Sequence, residues 1–206
     1  MLESRTIKDN YLDYPNVSSC CVDDQNKLKL HELAPKQQHV VIKAIDSAKD
    51  KHTQLLNLRP PDNKADTGGL VTELQPDIGA KVMLIVNIDV SDGLVNCARG
   101  TVQDSIRTGS EVTLVLVKSD HSRVGNAAIA QSQYGSQYPE AVPISRHEAV
   151  FFIGKSKATE ASRRQFPLVL AWATTIHKVQ GLTMDQIVVD MNNVAFDAGQ
   201  AYVAFS

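Results

Sequence analysis

The hydrophobic positions in the first third of the chain are irregularly spaced and predict short elements joined by loops. Residues 1–10 are polar, and we expect them to be frayed. Leu28, Leu30 and Leu33 stand among charged residues, which is typical of a weakly amphipathic helix over residues 25–33. Residues 39–46 are rich in β-branched side chains and predict a strand. Residues 47–69 are polar, contain prolines and glycines, and predict a loop or linker.

Three short runs of alternating or continuous apolar residues mark the middle of the chain. They read AKVMLIVNI, RGTVQDSI and EVTLVLVK, and turn-forming residues separate them. Closely spaced strands of this kind predict a small barrel or sandwich between about residues 79 and 153, of an SH3-like type. Residues 125–141 have little charge and much Gly, Ser and Gln, so we expect a mobile surface loop there.

The pattern changes again at Phe166. The run PLVLAWA, residues 167–173, is continuously apolar and predicts a strand buried on both faces, and residues 186–191 predict a second one. The segment between them is polar, and residues 197–205 could begin a helix. This order predicts an α/β protein in which a β-barrel module is inserted into a parallel-sheet domain.

Composition places the chain among ordinary globular proteins. Of its 206 residues, 43% are hydrophobic and 21% charged, and the formal net charge is −2. A histone-like polycation is excluded, so any nucleic-acid contact would come from a local patch. Cys20, Cys21 and Cys97 do not have the spacing of a zinc or redox site, and we expect reduced thiols in an intracellular protein. No signal peptide or membrane-spanning run is indicated.

The sequence AVFFIGKS, residues 149–156, satisfies a permissive form of the P-loop pattern. A phosphate cradle needs small residues that follow a strand and open a helix. Residues 150–153 are bulky instead, so we interpret the segment as a strand that leaves the barrel and ends in a charged turn. Without another P-loop, the chain has no evident means of holding ATP by itself.

Residues 155–164, KSKATEASRR, hold several basic side chains against one acid. A solvated linker is slightly favoured, and a patch that contacts a nucleic-acid backbone is the alternative. Asp89 and Asp92 occur in IDVSDG, where Asp is first of all a turn former. We find no assembly of nucleophile and base, no paired carboxylates, and no metal site.

The loop after the run 167–173 carries the densest set of hydrogen-bonding side chains in the chain. Because this loop follows a buried strand, it should lie at the carboxyl end of the sheet, where α/β proteins bind ligands. Hydroxyls, amides and an ammonium suit a polyanion such as a phosphate backbone. The polar residues of this loop are Thr174, Thr175, His177, Lys178, Gln180 and Thr183, with Gly181 supplying backbone freedom. Trp172 and Tyr202 are more typical of core aromatics than of base-stacking platforms.

From about residue 11 to residue 206 the sequence resembles the C-terminal half of PIF-type DNA helicases, the petite-integration-frequency family in the RecD-like branch of superfamily one. FPLVLAWATTIHKVQGLTMDQIVVDM carries the resemblance, together with GAKVMLIVNIDVSDGLVNCARGTV upstream and GQAYVAFS downstream. The resemblance implies a second RecA-like domain, helicase domain 2A, interrupted by a small SH3-like β-barrel, domain 2B. On that basis residues 11–78 and 166–206 belong to the RecA-like part, and residues 79–165 to the insertion.

The resemblance also implies roles for particular residues. TIHKVQG is similar to helicase motif five, so Thr175, His177 and Lys178 would lie along a bound single strand, and Gln180 and Gly181 would face the nucleotide cleft. Val179 departs from the usual Ser. Near the amino end, YPN is similar to motif four, whose Asn, here Asn16, approaches a phosphate.

AYVAFS is similar to the start of motif six, and the arginine that follows in that motif lies outside this sequence, as does the first RecA-like domain with its P-loop. We therefore expect the chain alone not to hydrolyse ATP, because hydrolysis depends on electrostatics from those parts.

The function implied is one part of an ATP-dependent 5′-to-3′ DNA helicase. ATP and Mg²⁺ would serve the intact enzyme, without binding tightly to this chain alone. Its partners would be single-stranded or forked DNA and the N-terminal RecA-like helicase domain, with no membrane. Two alternatives remain open: a non-catalytic nucleic-acid-binding or partner-docking protein derived from a helicase, and an SH3-like protein-interaction module.

Overall fold

The structure is a computed structural model that describes residues 16–18, 22–33, 39–48, 64–153, 159–175, 178 and 188–190. The chain divides into two compact units, one drawn from residues 1–35 and 171–206 and the other from residues 36–170. Within the described residues we number strands and helices in chain order: β1 Asn16–Ser18, α1 Val22–Leu33, β2 Ile42–Lys43, β3 Ile45–Ala48, β4 Glu73–Leu74, β5 Lys81–Leu84, β6 Arg99–Thr108, β7 Glu111–Ser119, α2 Asn126–Gln131, β8 Ala141–Ile144, β9 His147–Ile153, β10 Thr159–Gln165, β11 Leu168–Leu170, β12 Ala173–Thr174 and β13 Val188–Asp190, with a 3-10 turn at Lys64–Thr67.

The first unit contains a parallel sheet in the order β12-β1-β13. Asn16 of β1 is in register with Ala173 of β12 and with Val188 of β13. Helix α1 packs against β12 and buries Asn26, Lys29 and Leu30. The predicted helix over residues 25–33 and the predicted strand within residues 186–191 are thus confirmed.

The apolar run 167–173 does not form one strand, and this part of the prediction is wrong. Its first half is β11, which pairs antiparallel with β5 in the second unit. Its second half leads into β12, which pairs parallel with β1 in the first unit. Ala171 and Trp172 lie between the two strands and are buried. Continuous hydrophobicity therefore reflects burial in two successive sheets rather than one strand covered on both faces.

The second unit is built on a five-stranded antiparallel sheet in the order β11-β5-β6-β7-β8. The three apolar runs predicted as strands correspond to β5, β6 and β7, which pair in sequence order. Burial does not alternate strictly, since Val82–Leu84 of β5 and Val115–Val117 of β7 are buried in succession. Because successive residues of a strand point to opposite faces, both faces of the sheet are covered at these positions. The core of this sheet is formed by Val82, Leu84, Val102, Val115, Leu116, Val142, Ile144 and Leu168.

A second antiparallel sheet, in the order β3-β10-β9, corrects the interpretation of residues 159–164 as part of a solvated linker, while residues 155–158 lie outside the described residues. Thr159–Gln165 is the central strand β10, and it pairs with β9 on one side and β3 on the other. Ala161, Arg163 and Gln165 alternate along its buried side. The predicted strand over residues 39–46 is likewise divided, because β2 pairs with β4 while β3 pairs with β10.

The segment 125–141, for which the sequence predicts a mobile surface loop, contains helix α2. Gly125 precedes the helix with φ 83°, a left-handed conformation that glycine adopts without strain. The two carboxylate oxygens of Asp92 accept hydrogen bonds from the backbone N–H groups of Ala127 and Ala128, each at 2.9 Å. A side chain 35 residues upstream thus caps the helix, which the local sequence does not indicate.

Asp89 forms a turn of the kind the sequence predicts. Its Oδ1 accepts hydrogen bonds from the hydroxyl and backbone N–H of Ser91 and from the N–H of Asp92. The Ser91 hydroxyl is the main cause that lowers the pKa of Asp89 below its usual value. Both aspartates in IDVSDG therefore serve backbone geometry.

The boundaries of the two compact units differ from the predicted domain boundaries. The second unit begins at residue 36, whereas the predicted insertion begins at residue 79. The difference arises because β2, β3 and β4 pair with one another or with β10 inside that unit. Residues 11–78, 79–165 and 166–206 as helicase domain boundaries stay a prediction. No helix within the described residues is long and apolar enough to cross a bilayer.

Candidate nucleic-acid interface

The polar loop predicted as a binding site begins at the carboxyl end of β12. Because β12, β1 and β13 are parallel, their carboxyl ends share one edge of the sheet. Thr175 follows β12 directly and is partly exposed. The backbone N–H of Lys178 donates to the carbonyl oxygen of Thr175 at 3.0 Å, and Lys178 is exposed. Thr175 and Lys178 therefore lie on one tight turn at the sheet edge, where a ligand can reach them.

A buried amide of helix α1 fixes the strand that leads into this turn. Asn26 Nδ2 donates to the carbonyl oxygen of Ala173 at 3.0 Å, and Ala173 N–H donates to Asn26 Oδ1 at 2.8 Å. Asn26 is 5% exposed, so these bonds are shielded from water. The sequence analysis missed Asn26. The one feature that could have indicated it is an asparagine among the charged residues of a helix whose amphipathic pattern is weak.

The sequence predicts Thr174 as a member of the exposed polar loop, and this prediction is wrong. It is the last residue of β12 and only 4% exposed. Its Oγ1 is buried and has no hydrogen-bond partner among the described residues. Thr174 is therefore part of the sheet interior, and its hydroxyl is not available to a ligand. Trp172 is buried as predicted.

The remaining residues predicted for the site are placed only in part. Asn16 is the first residue of β1 and is in register with Ala173, two positions before Thr175. Two residues of a strand span about 6.6 Å. Asn16 therefore lies that distance toward the amino ends of the strands, away from the carboxyl end of the sheet where Thr175 lies. His177, Gln180 and Gly181 lie outside the described residues, as do Thr183 and Tyr202. Their roles stay predictions.

Most of the AVFFIGKS segment is a strand. Residues 147–153 form β9, which pairs antiparallel with β10 from residue 159 onward. Phe151 is buried and Phe152 is exposed, as alternation along a strand requires. The interpretation of residues 149–153 as a strand is confirmed, and the Gly-Lys-Ser sequence, residues 154–156, lies outside the described residues.

Two arginines in the second unit have structural partners that explain their charge. Arg163 is 2% exposed and forms two hydrogen bonds of 2.8 Å with the carboxylate of Asp46. Arg146 lies 5.0 Å from the ring centre of Phe166, and burial lowers its pKa while Glu111 opposes that shift. Neither is free to contact a phosphate backbone. Within the described part of the chain, no three His, Cys, Asp or Glu side chains cluster as metal ligands would.

Comparison with known proteins gives consistent matches along the chain. A family model described as "DNA helicase Pif1, 2B domain" matches residues 63–104. The ATP-dependent DNA helicase PIF1 of Xenopus laevis is 32% identical over 190 residues, covering 90% of this chain and 24% of that protein. The ATP-dependent DNA helicase Pif1 of Bdellovibrio bacteriovorus is 33% identical over 181 residues, covering 88% of this chain and 33% of the relative.

Solved structures match over nearly the whole chain. The crystal structure of Pif1 helicase from Candida albicans superposes with a TM-score of 0.65 at 26% identity, covering 98% of this chain and 44% of that one. Pif1 helicase from Bacteroides in complex with ADP-AlF3 and ssDNA gives 0.61 at 26% identity, covering 98% and 39%. The chain thus spans between a quarter and a third of the two curated relatives named above.

These matches agree with the fold, in which a parallel sheet of RecA-like type is interrupted by a small β domain that contains the matched 2B region. The chain belongs to the Pif1 helicase family and corresponds to one part of such a helicase.

Proposed function

We propose that this chain supplies one side of a single-strand groove in an ATP-dependent, 5′-to-3′ DNA helicase, with the turn that follows β12 contacting the DNA backbone. The observation that carries the proposal is the position of Thr175 and Lys178 at the carboxyl edge of the parallel sheet, joined by a 3.0 Å backbone bond. A related solved structure, Pif1 from Bacteroides, is a complex with ADP-AlF3 and ssDNA.

The side chains of this turn suit a phosphate backbone without reading sequence. The Thr175 hydroxyl can donate one hydrogen bond to a phosphate oxygen, and Lys178 adds a point charge. Because binding of a cation to a phosphate releases a counterion, such contacts weaken as salt rises. His177 would extend the same contact, and Gln180 with Gly181 would face the nucleotide cleft.

ATP and Mg²⁺ would drive the stepping of the intact helicase by closing its two RecA-like parts around the nucleotide. Residues 149–153, the described part of the AVFFIGKS segment, belong to strand β9, and bulky strand residues do not form a phosphate cradle. We therefore assign no step of hydrolysis to this chain. Its part in the cycle is to grip and release the DNA strand as the nucleotide state changes.

The test is single-strand binding by the full 206-residue chain. Fluorescence anisotropy with a labelled oligothymidylate should show weak binding whose logarithm falls linearly with the logarithm of salt concentration. Thr175→Ala combined with Lys178→Ala should weaken binding, and loss of the one lysine contact should reduce the salt slope by about 0.7. Lys27→Ala is the matched control, because Lys27 is exposed on α1 of the same unit.

Equal affinity in the wild type and the double variant would remove the DNA contact from this turn. If the chain bound no DNA but captured peptides, the SH3-like interaction module would replace the helicase proposal. Retained DNA binding in a full-length protein without DNA-stimulated ATPase would favour the non-catalytic alternative.

A further inference from the structure

Strand β12 is short and lies, among the described strands, at the edge of its sheet. It consists of Ala173 and Thr174, and β1 is its one described partner. An edge strand of two residues leaves backbone groups without ladder partners on its outer side. Those of Ala173 are nevertheless bonded, because the Asn26 amide supplies both a donor and an acceptor to them.

The Asn26 amide takes the place of a neighbouring strand. A primary amide is planar and carries a carbonyl oxygen beside an N–H group, so it can pair with one residue as a peptide group of an adjacent strand would. The two distances, 3.0 and 2.8 Å, are those of ordinary ladder bonds. Asn26 and Ala173 are 147 residues apart, so this contact joins α1 to the strand directly before the polar turn.

We propose that Asn26 is a positioning residue that holds β12 so that Thr175 and Lys178 are presented to the DNA backbone. This inference rests on the proposed function of the turn. Asn26 does not contact the DNA itself, since it is buried and its amide is occupied by Ala173. Thr175 follows Ala173 by two residues, so a shift of Ala173 is carried directly into the turn.

The size of the effect follows from the role of a supporting hydrogen-bond partner. Loss of one hydrogen bond typically changes an equilibrium by about two- to tenfold. Asn26 makes two bonds to Ala173, so we expect an effect of roughly tenfold. Because the salt slope counts phosphate contacts and Asn26 makes none, the slope should change less in an Asn26 variant than in a Lys178 variant.

The experiment compares three variants of the full chain. Asn26→Leu removes both bonds to Ala173 at similar volume. Asn26→Asp keeps the acceptor for the Ala173 N–H and loses the donor, so it serves as the conservative variant. Leu30→Ala is the matched control, because Leu30 is 2% exposed on the same helix and does not bond β12. Each variant is measured for single-strand affinity, for salt slope, for unfolding midpoint, and for amide hydrogen exchange at Ala173 and Thr175.

We expect Asn26→Leu to speed exchange at Ala173 and Thr175 by about tenfold and to weaken DNA binding by a similar factor. Asn26→Asp should lie between it and the wild type. Leu30→Ala should lower the unfolding midpoint while exchange at Thr175 and DNA affinity stay near the wild-type values. This pattern separates positioning of the turn from general loss of stability.

Two results would overturn the inference. The first is an equal loss of affinity in Leu30→Ala and Asn26→Leu at equal loss of stability. The second is fast exchange at Ala173 in Asn26→Leu with unchanged affinity. If the wild type bound no DNA, the proposed function itself would fail, whereas unchanged exchange in Asn26→Leu beside normal wild-type binding would refute the positioning role alone. Should Asn26→Leu not fold, Asn26→Asp decides the question by the same two readouts.

Discussion

The replacement of Arg163 by Met tests whether the basic segment before Phe166 serves the fold or the DNA. Arg163 is 2% exposed and binds both carboxylate oxygens of Asp46 at 2.8 Å. Its Nη1 also donates to the carbonyl oxygen of Leu70 at 3.1 Å. Met keeps most of the apolar stem and removes the charge, so the loss is mainly that of the ion pair.

The expected cost can be worked out from the partners left behind. Breaking a buried ion pair by removing one member typically costs about 3–5 kcal/mol, because the other charge stays without compensation. The Leu70 carbonyl still accepts a bond from the Thr67 hydroxyl at 3.2 Å, so it is not orphaned. The Asp46 side chain is 20% exposed and can recover some hydration. We therefore expect the lower end, about 3 kcal/mol in the free energy of unfolding.

Urea unfolding followed by far-ultraviolet circular dichroism is the appropriate assay. The single tryptophan, Trp172, belongs to the unit drawn from residues 1–35 and 171–206, so its fluorescence does not report directly on the unit that contains Arg163. With an m-value of about 2 kcal/mol/M, a loss of 3 kcal/mol moves the midpoint by about 1.5 M. Arg164→Met is the matched control, because Arg164 is the exposed neighbour on the same strand and should change stability by less than about 0.5 kcal/mol.

A loss below about 1 kcal/mol for Arg163→Met, or a loss equal to that of Arg164→Met, would refute the reasoning, because exposed ion pairs are worth no more than that. Adding Asp46→Asn to Arg163→Met should restore part of the stability, since the uncompensated carboxylate is then neutral. A drop in DNA affinity without a drop in stability would instead favour a role in contacting nucleic acid.

Three further predictions concern single side chains. Thr174→Val should raise the free energy of unfolding by about 1 kcal/mol in chemical denaturation, because a buried hydroxyl with no partner among the described residues is replaced by an isosteric apolar group; a destabilised variant would show that the hydroxyl is bonded. Tyr138 donates to Asp104, which raises the pKa of its phenol above 10.0. This bond therefore stabilises the fold fully below pH 10 and less as the phenol ionises, so absorbance titration at 295 nm should lose a tyrosine step above pH 10 in Tyr138→Phe; an unchanged titration curve would contradict this. Asp92→Ala should cost about 1 kcal/mol in urea unfolding through loss of the α2 cap, with a loss near zero contradicting the capping role.

The sequence predicted correctly the strands that pair with their neighbours in the chain and are buried in one sheet. Strands β5, β6 and β7 alternate or run apolar over several residues and pair with their neighbours in the chain, so local pattern and tertiary pairing agree. The segment 167–173 failed because its two halves are buried in different sheets, and apolar side chains carry no record of which sheet covers them. The periodicity of apolar residues indicates which positions are buried, but where a strand begins and ends depends on the segment with which it pairs.

Polar residues were the harder part of the prediction for a physical reason. Arg163 and Arg164 are adjacent and chemically identical, yet Arg163 is buried and bonded to Asp46 whereas Arg164 is exposed. Thr174 and Thr175 show the same division across the end of β12. The identity of a polar side chain gives its possible bonds, but its face on the strand is fixed only by pairing with distant segments. The density of polar residues therefore did not distinguish the buried Thr174 from the exposed Lys178, and the binding role of this segment stays a prediction.

The described residues show that side chains from distant segments complete backbone hydrogen bonding where the regular elements are too short to do so. Asn26 pairs with Ala173 as a strand would, and Asp92 caps a helix of six residues. Gln165 Nε2 donates to the Ile42 carbonyl, extending a two-residue strand in the same manner. Each contact supplies bonds that a longer element would form by itself. For β12, the Asn26 amide bonds one side of Ala173, while the other side of the strand pairs with β1 over two residues. Two interactions of different kinds, a strand pairing and a side-chain amide, therefore fix the strand that leads into Thr175.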